Sequence, residues 1–242
     1  MDKVSYGFAD VDPSEKTRRV GEVFANVAPR YDLMNDLMSA GMHRLWKNRF
    51  VGRLRPRHGE RILDMAGGTG DIAFRIARSG AVVTVADINP HMLEVGKQRA
   101  RQRGIDGFAW AEENAEALSF ADGSFDAYTI AFGIRNVTHI DKALADAHRV
   151  LRIGGRFFCL EFSTATWPGF ATLYDRYSLE IAPKIGKAVA RDESSYRYLV
   201  ESIRRFPDMQ TFKAMIEKAG FARVAVEPIL GGVVAIHSGW KI

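Results

Sequence analysis

A glycine-rich stretch that follows an apolar run is the segment of this sequence best suited to hold a ligand. Residues 63–70 have the sequence LDMAGGTG. Glycines at such a place allow the backbone to bend sharply and to approach a ligand closely. Asp87 ends the next apolar run, 23 residues after Asp64. In a nucleotide-binding fold, an acid at that position accepts hydrogen bonds from ribose hydroxyls, so the two segments together predict a site for a ligand that carries a ribose.

The acid within this stretch distinguishes between two kinds of ligand. A glycine-rich turn alone is a weak signal, because dinucleotide-dependent dehydrogenases use one too. Here the spacing is not the dinucleotide pattern G-x-G-x-x-G, and Asp64 stands just before the glycines. A carboxylate there would repel a pyrophosphate, whereas it suits a cationic sulfonium ligand that carries an amino group. The stretch therefore favours S-adenosylmethionine over a dinucleotide.

A third polar element follows at residues 113–118, which have the sequence ENAEAL. In class I methyltransferases this position contacts the adenine through a polar side chain and a backbone N–H, which would be those of Asn114 and Ala115. Asn114 could instead cap a helix, since asparagine is favoured at the first helical boundary position. The order of the three elements along the chain favours the adenine site.

An alternation of strands and helices from residue 61 onward is what must position these residues. Apolar runs predict strands at residues 61–66, 81–88, 107–113, 125–131 and 156–162, and helical periodicity predicts helices at 71–79, 90–104 and 140–151. Such alternation is typical of an α/β, Rossmann-like fold with a doubly wound, mostly parallel sheet. A helix at 208–219 and two close strands, 221–227 and 233–238, predict a C-terminal antiparallel hairpin.

The flanking regions divide the chain into two parts. Residues 1–12 are expected to be loosely attached, and Asp12-Pro13 predicts the start of a helix that Pro29 ends. A second helical stretch is expected over residues 31–54. We therefore predict an N-terminal helical segment (1–57) that covers the site, and a methyltransferase domain (58–242). The domain carries a helical insertion at 164–206, because this aromatic-rich region has little strand character.

Composition excludes several classes of protein. The chain has a formal net charge of +5 and a single cysteine, Cys159, within an apolar run. A buried, inert thiol is expected there, and without cysteine pairs or close histidine pairs no metal site is predicted. No apolar stretch approaches the roughly 20 residues of a membrane-spanning helix, and the amino terminus lacks the apolar core of a signal peptide. A soluble protein of the cytoplasm is expected.

Two signature-like segments give the sequence a specific resemblance. Residues 31–46, YDLMNDLMSAGMHRLW, resemble the first signature of the ubiquinone/menaquinone biosynthesis C-methyltransferase family, which keeps Tyr-Asp-x-Met-Asn and then Ser, His and Trp at this spacing. Residues 149–163 resemble its second signature, although Ile153 stands where members often have proline. Residues 132–137 match a further segment of the family, and the resemblance covers about residues 16–240.

The resemblance implies methyl transfer from S-adenosylmethionine to a ring carbon of a polyprenylated benzoquinol, a demethylmenaquinol, or both. It also implies that the cofactor is bound at Gly67, Thr69, Asp87, Asn114 and Ala115. A further contact is implied just after the fourth strand, where many members carry serine. This chain has Ala131 there, which can offer only a backbone or van der Waals contact.

Candidate catalytic residues lie after the strands and in the covering segment. Arg135 and Asn136 follow the fourth strand and would face the methyl group. Arg135 would stabilise a phenolate or polarise a water, or would pin the loop in a salt bridge; Asn136 would orient the ring oxygen. Tyr31 and Asp32 could act on the hydroxyl proton of the ring, or could serve in capping and packing. Glu161 ends the fifth strand, where a role in the site and a structural role are both open.

Basic patches bear on the partners of the protein. Arginines and lysines cluster within residues 44–61 and 184–205, which suits phosphates or an anionic membrane surface, or forms ordinary solvated helix faces. Residues 164–206 could shape a path for a prenyl tail, or serve as a lid, a dimer contact or a contact within a quinone-synthesis complex.

A nucleic-acid methyltransferase is disfavoured, because the fourth strand ends in Ala131-Phe132-Gly133 rather than Pro-Pro-Tyr/Phe, and no nucleic-acid-binding module is appended. A methyltransferase for another phenolic or lipid substrate, and a non-catalytic cofactor-binding scaffold, remain alternatives.

Overall fold

The computed structural model describes residues 3–28, 35, 36, 39, 41–163 and 193–242. A central sheet of seven strands lies between helices in this part of the chain. Its strands are β3 (Arg61–Met65), β4 (Val82–Asp87), β5 (Ala109–Glu112), β6 (Phe125–Ala131), β7 (Leu151–Phe162), β8 (Ala222–Ile229) and β9 (Val234–Trp240). A separate N-terminal hairpin consists of β1 (Val4–Tyr6) and β2 (Ala9–Val11).

The helices are placed between these strands and before them. They are α1 (Pro13–Val27), α2 (His43–Leu54), α3 (Asp71–Ala77), α4 (Pro90–Gln102), α5 (Ile140–Val150), α6 (Glu193–Arg205) and α7 (Met209–Lys218). A single 3-10 turn, Ile134–Asn136, lies between β6 and α5. The βαβ alternation predicted from residue 61 onward is confirmed, with element ends that differ by a few residues.

The strand order determines where a ligand can bind. The order across the sheet is β5-β4-β3-β6-β7-β9-β8. The first five of these pair in parallel, and β9 pairs antiparallel with both β7 and β8, so the predicted C-terminal antiparallel hairpin is confirmed. After β3 the chain moves outward through β4 and β5, then returns to the other side of β3 as β6. Loops after β3 and β6 therefore separate at this reversal and leave a crevice at the carboxyl ends of the strands.

Two apolar layers hold the sheet between its helices. On one face α5 buries Ala143, Leu144, Ala147 and Val150, whose spacing places them along one side of a helix. They pack with Phe212 and Ile216 of α7 and with the underside of β6 and β7. On the other face, α2 and α3 form a second cluster with β3 and β4. Strands that are covered on both faces are mainly apolar, which explains Ile62 and Leu63 in β3 and Val83 and Val85 in β4, all of them buried.

Two expectations about the flanking regions were wrong. Residues 4–11 form an ordered hairpin with Gly7 in its turn at φ +57°; its strands are only three residues long, so the hairpin depends on packing against α6. The helical stretch expected over 31–54 is not one continuous helix, because Gly41 and Met42 form a turn and α2 begins at His43. Within the predicted insertion, α6 is helical, and residues 164–192 lie outside the described part of the chain.

Candidate active site

A cleft lies over the carboxyl ends of β3, β4 and β6, beneath helix α1. It encloses about 800 Å³, including its open mouth. The residues that line it are Thr17, Val20, Gly21, Phe24, Met65, Ala66, Asp87, Ile88, Asn89, Met92, Asn114, Ala115, Glu116, Phe132, Gly133, Asn136, Val137 and Thr138. This is the crevice that the strand order predicts, and it contains three of the seven predicted cofactor-binding residues.

The glycine-rich turn after β3 is packed so tightly that a side chain would not fit. The N–H of Gly67 donates to the carbonyl of Ala86 at 3.0 Å, which ties the turn to β4. A Cβ atom at Gly67 would lie 2.7 Å from Cγ1 of Val85, closer than atoms can approach. Gly68 adopts φ +50°, in the left-handed region that favours glycine. The turn can therefore bring its backbone against the strand ends only with glycine at these positions.

Asp87 lies on the cleft wall at the end of β4, where an acid was predicted. Its Oδ2 accepts a hydrogen bond from the N–H of Gly68 at 3.0 Å, and its Oδ1 accepts one from the N–H of Asn89 at 2.9 Å. Burial nevertheless raises the pKa of Asp87 to about 6, because these amide donors only partly offset the loss of water. The carboxylate can gain further stabilisation from hydroxyl donors of a bound ligand.

Asp64 and Thr69 are buried within the glycine-rich stretch and do not line the cleft. Asp64 is 1% exposed, and its Oδ1 accepts from Oγ1 of Thr129 at 2.8 Å. Its Oδ2 and the hydroxyl of Thr69 have no hydrogen-bond partner among the described residues. Burial raises the pKa of Asp64 to about 7. Direct contact of these residues, or of Gly67, with a cofactor stays a prediction.

Asn114 and Ala115 follow β5 and line the cleft. The Oδ1 of Asn114 accepts from the N–H of Glu116 at 3.0 Å, and its carbonyl accepts from the N–H of Ala117 at 3.0 Å. Asn114 thus stabilises a tight turn rather than a helix. Ala115 and Met92 both line the cleft and give its wall apolar groups that a purine ring could contact.

Helix α1 forms the outer wall of the cleft, and the sequence pattern did not indicate which of its residues would do so. Thr17, Val20, Gly21 and Phe24 line the cleft and recur at the i, i+3, i+4 and i+7 positions of one helix face. That spacing was visible in the sequence, but apolar spacing of this kind usually marks packing against a core.

Two hydrogen bonds hold α1 across the cleft. The Nδ2 of Asn89 donates to the carbonyl of Gly21 at 3.1 Å. On the other side, Nζ of Lys16 donates to the carbonyl of Val137 at 2.8 Å. Burial lowers the pKa of Lys16 to about 8, although Glu116 opposes the shift. Helix α1 is thus joined both to the loop after β4 and to the loop after β6.

The loop after β6 passes close to the glycine-rich turn. Phe132 adopts φ +56°, which is uncommon for a residue with a side chain. A Cβ atom at Gly133 would lie 2.5 Å from Cβ of Ala66, so the two loops touch at this point. Ala131, the predicted contact after the fourth strand, is half-buried at the end of β6 and does not line the cleft; its role stays a prediction.

Arg135 is held in a buried ion pair. Its Nη1 donates to Oε1 of Glu161 at 2.7 Å and to the carbonyl of Phe132 at 2.6 Å. The two charged side chains are 4% and 1% exposed. Burial raises the pKa of Glu161, although the neighbouring guanidinium opposes the shift. This is the geometry of a salt bridge that pins the loop, and Arg135 lines an adjoining cavity rather than the cleft.

Asn136, the neighbour of Arg135, lines the cleft itself. Its Oδ1 accepts a hydrogen bond from the hydroxyl of Tyr198 on α6 at 3.0 Å. The structure thus brings Asn136 together with Asp87, Asn114 and Ala115 around one cleft. Tyr31 and Asp32, the other two predicted catalytic residues, lie outside the described residues.

The charges around the cleft match a cationic ligand that carries hydroxyl groups. Its lining includes the acids Asp87 and Glu116, and within the described part of the chain it includes no lysine or arginine. A pyrophosphate would meet negative potential there, whereas a sulfonium with an amino group and a ribose would be attracted. Among the residues that the structure describes, no group of three His, Cys, Asp or Glu side chains is placed to hold a metal ion. The cleft therefore fits S-adenosylmethionine better than it fits a dinucleotide.

Comparisons with known proteins agree with this geometry. The model of the ubiE/COQ5 methyltransferase family matches residues 13–241. The chain is 65% identical over 242 residues to the ubiquinone/menaquinone biosynthesis C-methyltransferase UbiE of Zymomonas mobilis, with 100% of each chain covered. It is 53% identical over 259 residues to the mitochondrial 2-methoxy-6-polyprenyl-1,4-benzoquinol methylase of Arabidopsis thaliana, with 98% of this chain and 90% of the relative covered.

A solved structure shows that the fold is shared much more widely. A methyltransferase from Thermotoga maritima that depends on S-adenosylmethionine superimposes with a TM-score of 0.66 at 18% identity, over 92% of this chain and 100% of the other. Identity this low supports only the fold, whereas the family match spans nearly the whole sequence. The chain belongs to the ubiE/COQ5 methyltransferase family and is an S-adenosylmethionine-dependent C-methyltransferase.

Proposed function

We propose that this protein transfers a methyl group from S-adenosylmethionine to a ring carbon of a polyprenylated benzoquinol, a demethylmenaquinol, or both. The observation that carries the proposal is the cleft at the carboxyl ends of the strands, which joins a wall containing Asp87 to Asn136 on the loop after β6. The names of the relatives supply the chemistry, since one is a ubiquinone/menaquinone biosynthesis C-methyltransferase and another a benzoquinol methylase.

The cofactor would be held mainly by the wall built on β3, β4 and β5. Asp87 would accept hydrogen bonds from the ribose hydroxyls, and the turn at Asn114 and Ala115 would contact the adenine. The glycine-rich turn would lie against the rest of the cofactor, and the buried Asp64 would contribute negative potential there. Bound S-adenosylmethionine supplies a methyl group that its sulfonium already activates. The protein therefore mainly has to align the acceptor carbon with that group and to exclude water.

The acceptor side would be organised by the loop after β6. A ring carbon becomes nucleophilic when a hydroxyl of the reduced ring loses its proton, so a donor near that oxygen favours the reaction. Asn136 and Thr138 are the polar side chains of this loop that line the cleft, and the carboxamide of Asn136 carries an NH₂ group that can donate two hydrogen bonds. Because Glu161 already neutralises Arg135, we assign to Arg135 the role of holding Asn136 in place. Tyr31 and Asp32 remain our candidates for accepting the hydroxyl proton.

The position of helix α1 supports the proposed division of the chain into two parts. Four of its residues line the cleft, which supports our division into an N-terminal segment (1–57) that covers the site and a methyltransferase domain (58–242). Closing such a cover over the cleft would keep water away from the reacting atoms.

Peripheral contact with an anionic membrane is a further part of the proposal. Part of the first basic cluster is paired within the molecule, because Lys47 pairs with Asp71 at 2.7 Å, and Arg49 and Arg53 share the single carboxylate of Glu227. The contact would draw on the remaining arginines of this cluster and on the basic and aromatic residues within 164–206. No helix among the described residues is long and apolar enough to cross a membrane. Sedimentation with vesicles that contain or lack anionic lipid would test this contact, and sedimentation equilibrium would test for a homodimer.

The test of the reaction is a methyl-transfer assay. Purified protein is incubated with methyl-labelled S-adenosylmethionine and, in separate samples, with a reduced demethylated benzoquinol or naphthoquinol that carries a short prenyl tail. Asp87→Asn is assayed alongside Asp126→Asn as a matched control. Asp126 lies near the start of β6, at the amino ends of the strands and away from the cleft, and pairs with Arg152. We expect label on a ring carbon of at least one quinol, greatly reduced in Asp87→Asn only. Cofactor binding without transfer to either quinol would reject the proposal and favour another phenolic substrate.

A further inference from the structure

A hydrogen bond connects helix α6 with the turn that follows β6. The hydroxyl of Tyr198 lies 3.0 Å from Oδ1 of Asn136. Tyr198 is 4% exposed, so this bond is shielded from water. Neither signature of the sequence includes Tyr198, and its position in the chain, 62 residues after Asn136, gave no indication of the contact.

The ring of Tyr198 is fixed by the N-terminal hairpin. Tyr6 stacks on it, with ring centroids 4.5 Å apart and an interplanar angle of 20°. Val20 and Val23 of α1 complete the apolar cluster around the two rings. The hairpin is in turn joined to α6, because the N–H of Phe8 donates to Oε2 of Glu201 at 3.2 Å. The phenol therefore meets Asn136 from a support that packing holds in one orientation.

The direction of this bond determines what Asn136 can offer to the cleft. A carboxamide has one acceptor oxygen and an NH₂ group that donates. Burial holds the pKa of the Tyr198 phenol well above its usual value, so the hydroxyl keeps its proton and donates to Oδ1. With Oδ1 engaged on the α6 side, the NH₂ group is the part of the carboxamide left for the cleft. A donor there matches an oxygen that becomes negative during the reaction.

We infer that Tyr198 is a positioning residue, which fixes the carboxamide of Asn136 so that its NH₂ group donates to the ring oxygen of the acceptor. The inference rests on the proposed function, since it assigns the direction of a hydrogen bond in the same site. It also gives the N-terminal hairpin a task, namely to support Tyr198 through Tyr6.

The first experiment removes the hydroxyl alone. Tyr198→Phe should lower kcat about fivefold to tenfold, the loss expected for one net hydrogen bond, while the Kd of S-adenosylmethionine stays unchanged. Tyr128→Phe is the matched control, because Tyr128 is equally buried and its hydroxyl has no partner among the described residues. A kcat in Tyr198→Phe equal to that of the wild-type protein would overturn the inference.

A second comparison separates positioning from general support of the fold. In an Asn136→Ala background, Tyr198→Phe should have no further effect on kcat, because the group that it orients is gone. If Tyr198 only stabilised the structure, kcat would fall by the same factor in that background, and the inference would be wrong. Asn136→Asp should be less active than Asn136→Ala, since a carboxylate oxygen facing the cleft repels an oxyanion. An Asn136→Asp protein that keeps its activity would also overturn the inference.

A third measurement does not depend on the reaction. In protein labelled with ¹⁵N-asparagine, the side-chain NH₂ group of Asn136, identified by the loss of its signal in Asn136→Ala, should show the restricted ps–ns motion of a fixed carboxamide in ¹⁵N relaxation. In Tyr198→Phe this motion should increase, and in Tyr128→Phe it should not. If the wild-type protein methylated no quinol, the proposed function would fail, yet this motion would still decide whether Tyr198 fixes the carboxamide. An unchanged motion in Tyr198→Phe would reject the inference.

Discussion

The two sides of the cleft differ in whether their buried charged side chains are paired with an opposite charge. On the side built by β3 and β4, the carboxylates of Asp64 and Asp87 are buried without a cation, and hydroxyl or amide donors are their only described polar partners. On the side built by β6 and β7, Arg135 and Glu161 are buried against each other at 2.7 Å. We refer to these as the cofactor side and the acceptor side.

The difference shows how each side prepares for its ligand. A buried carboxylate without a cation has a raised pKa, because desolvation disfavours its charge. The cofactor side therefore gains stabilisation when a ligand brings positive charge and hydroxyl donors. The acceptor side gains little more from a ligand's charge, since its own charges are already paired. What it provides is geometry: the ion pair fixes the turn that carries Asn136.

The largest effect is expected where paired charges are separated. Glu161→Gln leaves the guanidinium of Arg135 buried without a counter-charge, which should lower the free energy of unfolding by about 3 kcal/mol. Urea denaturation would measure it. The double variant Glu161→Gln/Arg135→Met should recover most of the loss, because no unpaired charge remains, while methyl transfer stays low. A Glu161→Gln protein within about 1 kcal/mol of wild type would show that the pair is not important to the fold.

The next effect concerns the cofactor side, where binding rather than folding should suffer. Asp87→Asn replaces a carboxylate, which accepts well from two hydroxyls, with a carboxamide that has one acceptor oxygen. We expect the affinity for S-adenosylmethionine to fall by about 10-fold to 100-fold, which corresponds to one or two charge-assisted hydrogen bonds. Isothermal titration calorimetry would measure it, with Asp126→Asn as control. Equal affinities for Asp87→Asn and wild type would place the ribose elsewhere.

The pH dependence of binding tests the same carboxylate without a mutation. Burial raises the pKa of Asp87 to about 6 in the free protein, and the ligand's hydroxyls prefer the ionised form. Below pH 6 the carboxyl must lose a proton before it binds well, so Asp87 should lower the affinity by up to about tenfold per pH unit as the pH falls. Asp87→Asn should lose this contribution and keep only that of Asp64, whose pKa burial raises to about 7. A wild-type affinity that is constant from pH 5 to pH 7 would contradict the assignment.

The sequence located Asp87, Asn114 and Ala115, the three predicted cofactor-binding residues that line the cleft, because each of them ends or follows a strand of the regular alternation. A buried strand such as β4 is mainly apolar, and a polar residue that ends such a run lies at the carboxyl end of the strand. Asp87 could therefore be placed from the spacing of residues alone. The turn at Asn114 and Ala115 follows from the same rule.

The acceptor side was predicted only in part, because its contacts depend on which strands are neighbours. Arg135 and Glu161 meet because β6 pairs with β7 in a register that sets Ala131 opposite Leu160. The sequence placed Arg135 after the fourth strand and Glu161 at the end of the fifth, but left a catalytic Arg135 and a structural Arg135 both open. The N-terminal hairpin was missed for a similar reason, since strands of three residues have no stability of their own and depend on Tyr198, far along the chain.

The smallest effect is expected at the link between the two sides. Helix α1 is tied to the loop after β4 through Asn89 and to the loop after β6 through Lys16, whose Nζ donates to the carbonyl of Val137 at 2.8 Å. Lys16→Met keeps the apolar stem and removes one hydrogen bond, worth about 1 kcal/mol. If α1 must release one loop for the cofactor to leave, S-adenosylhomocysteine should dissociate about fivefold faster, as stopped-flow fluorescence would show. Arg18→Met is the control, because Arg18 is exposed and, among the described residues, its ion pair lies within the helix, with Glu22 at 2.6 Å. Equal dissociation rates in all three proteins would mean that the cofactor leaves without any movement of α1 away from Val137.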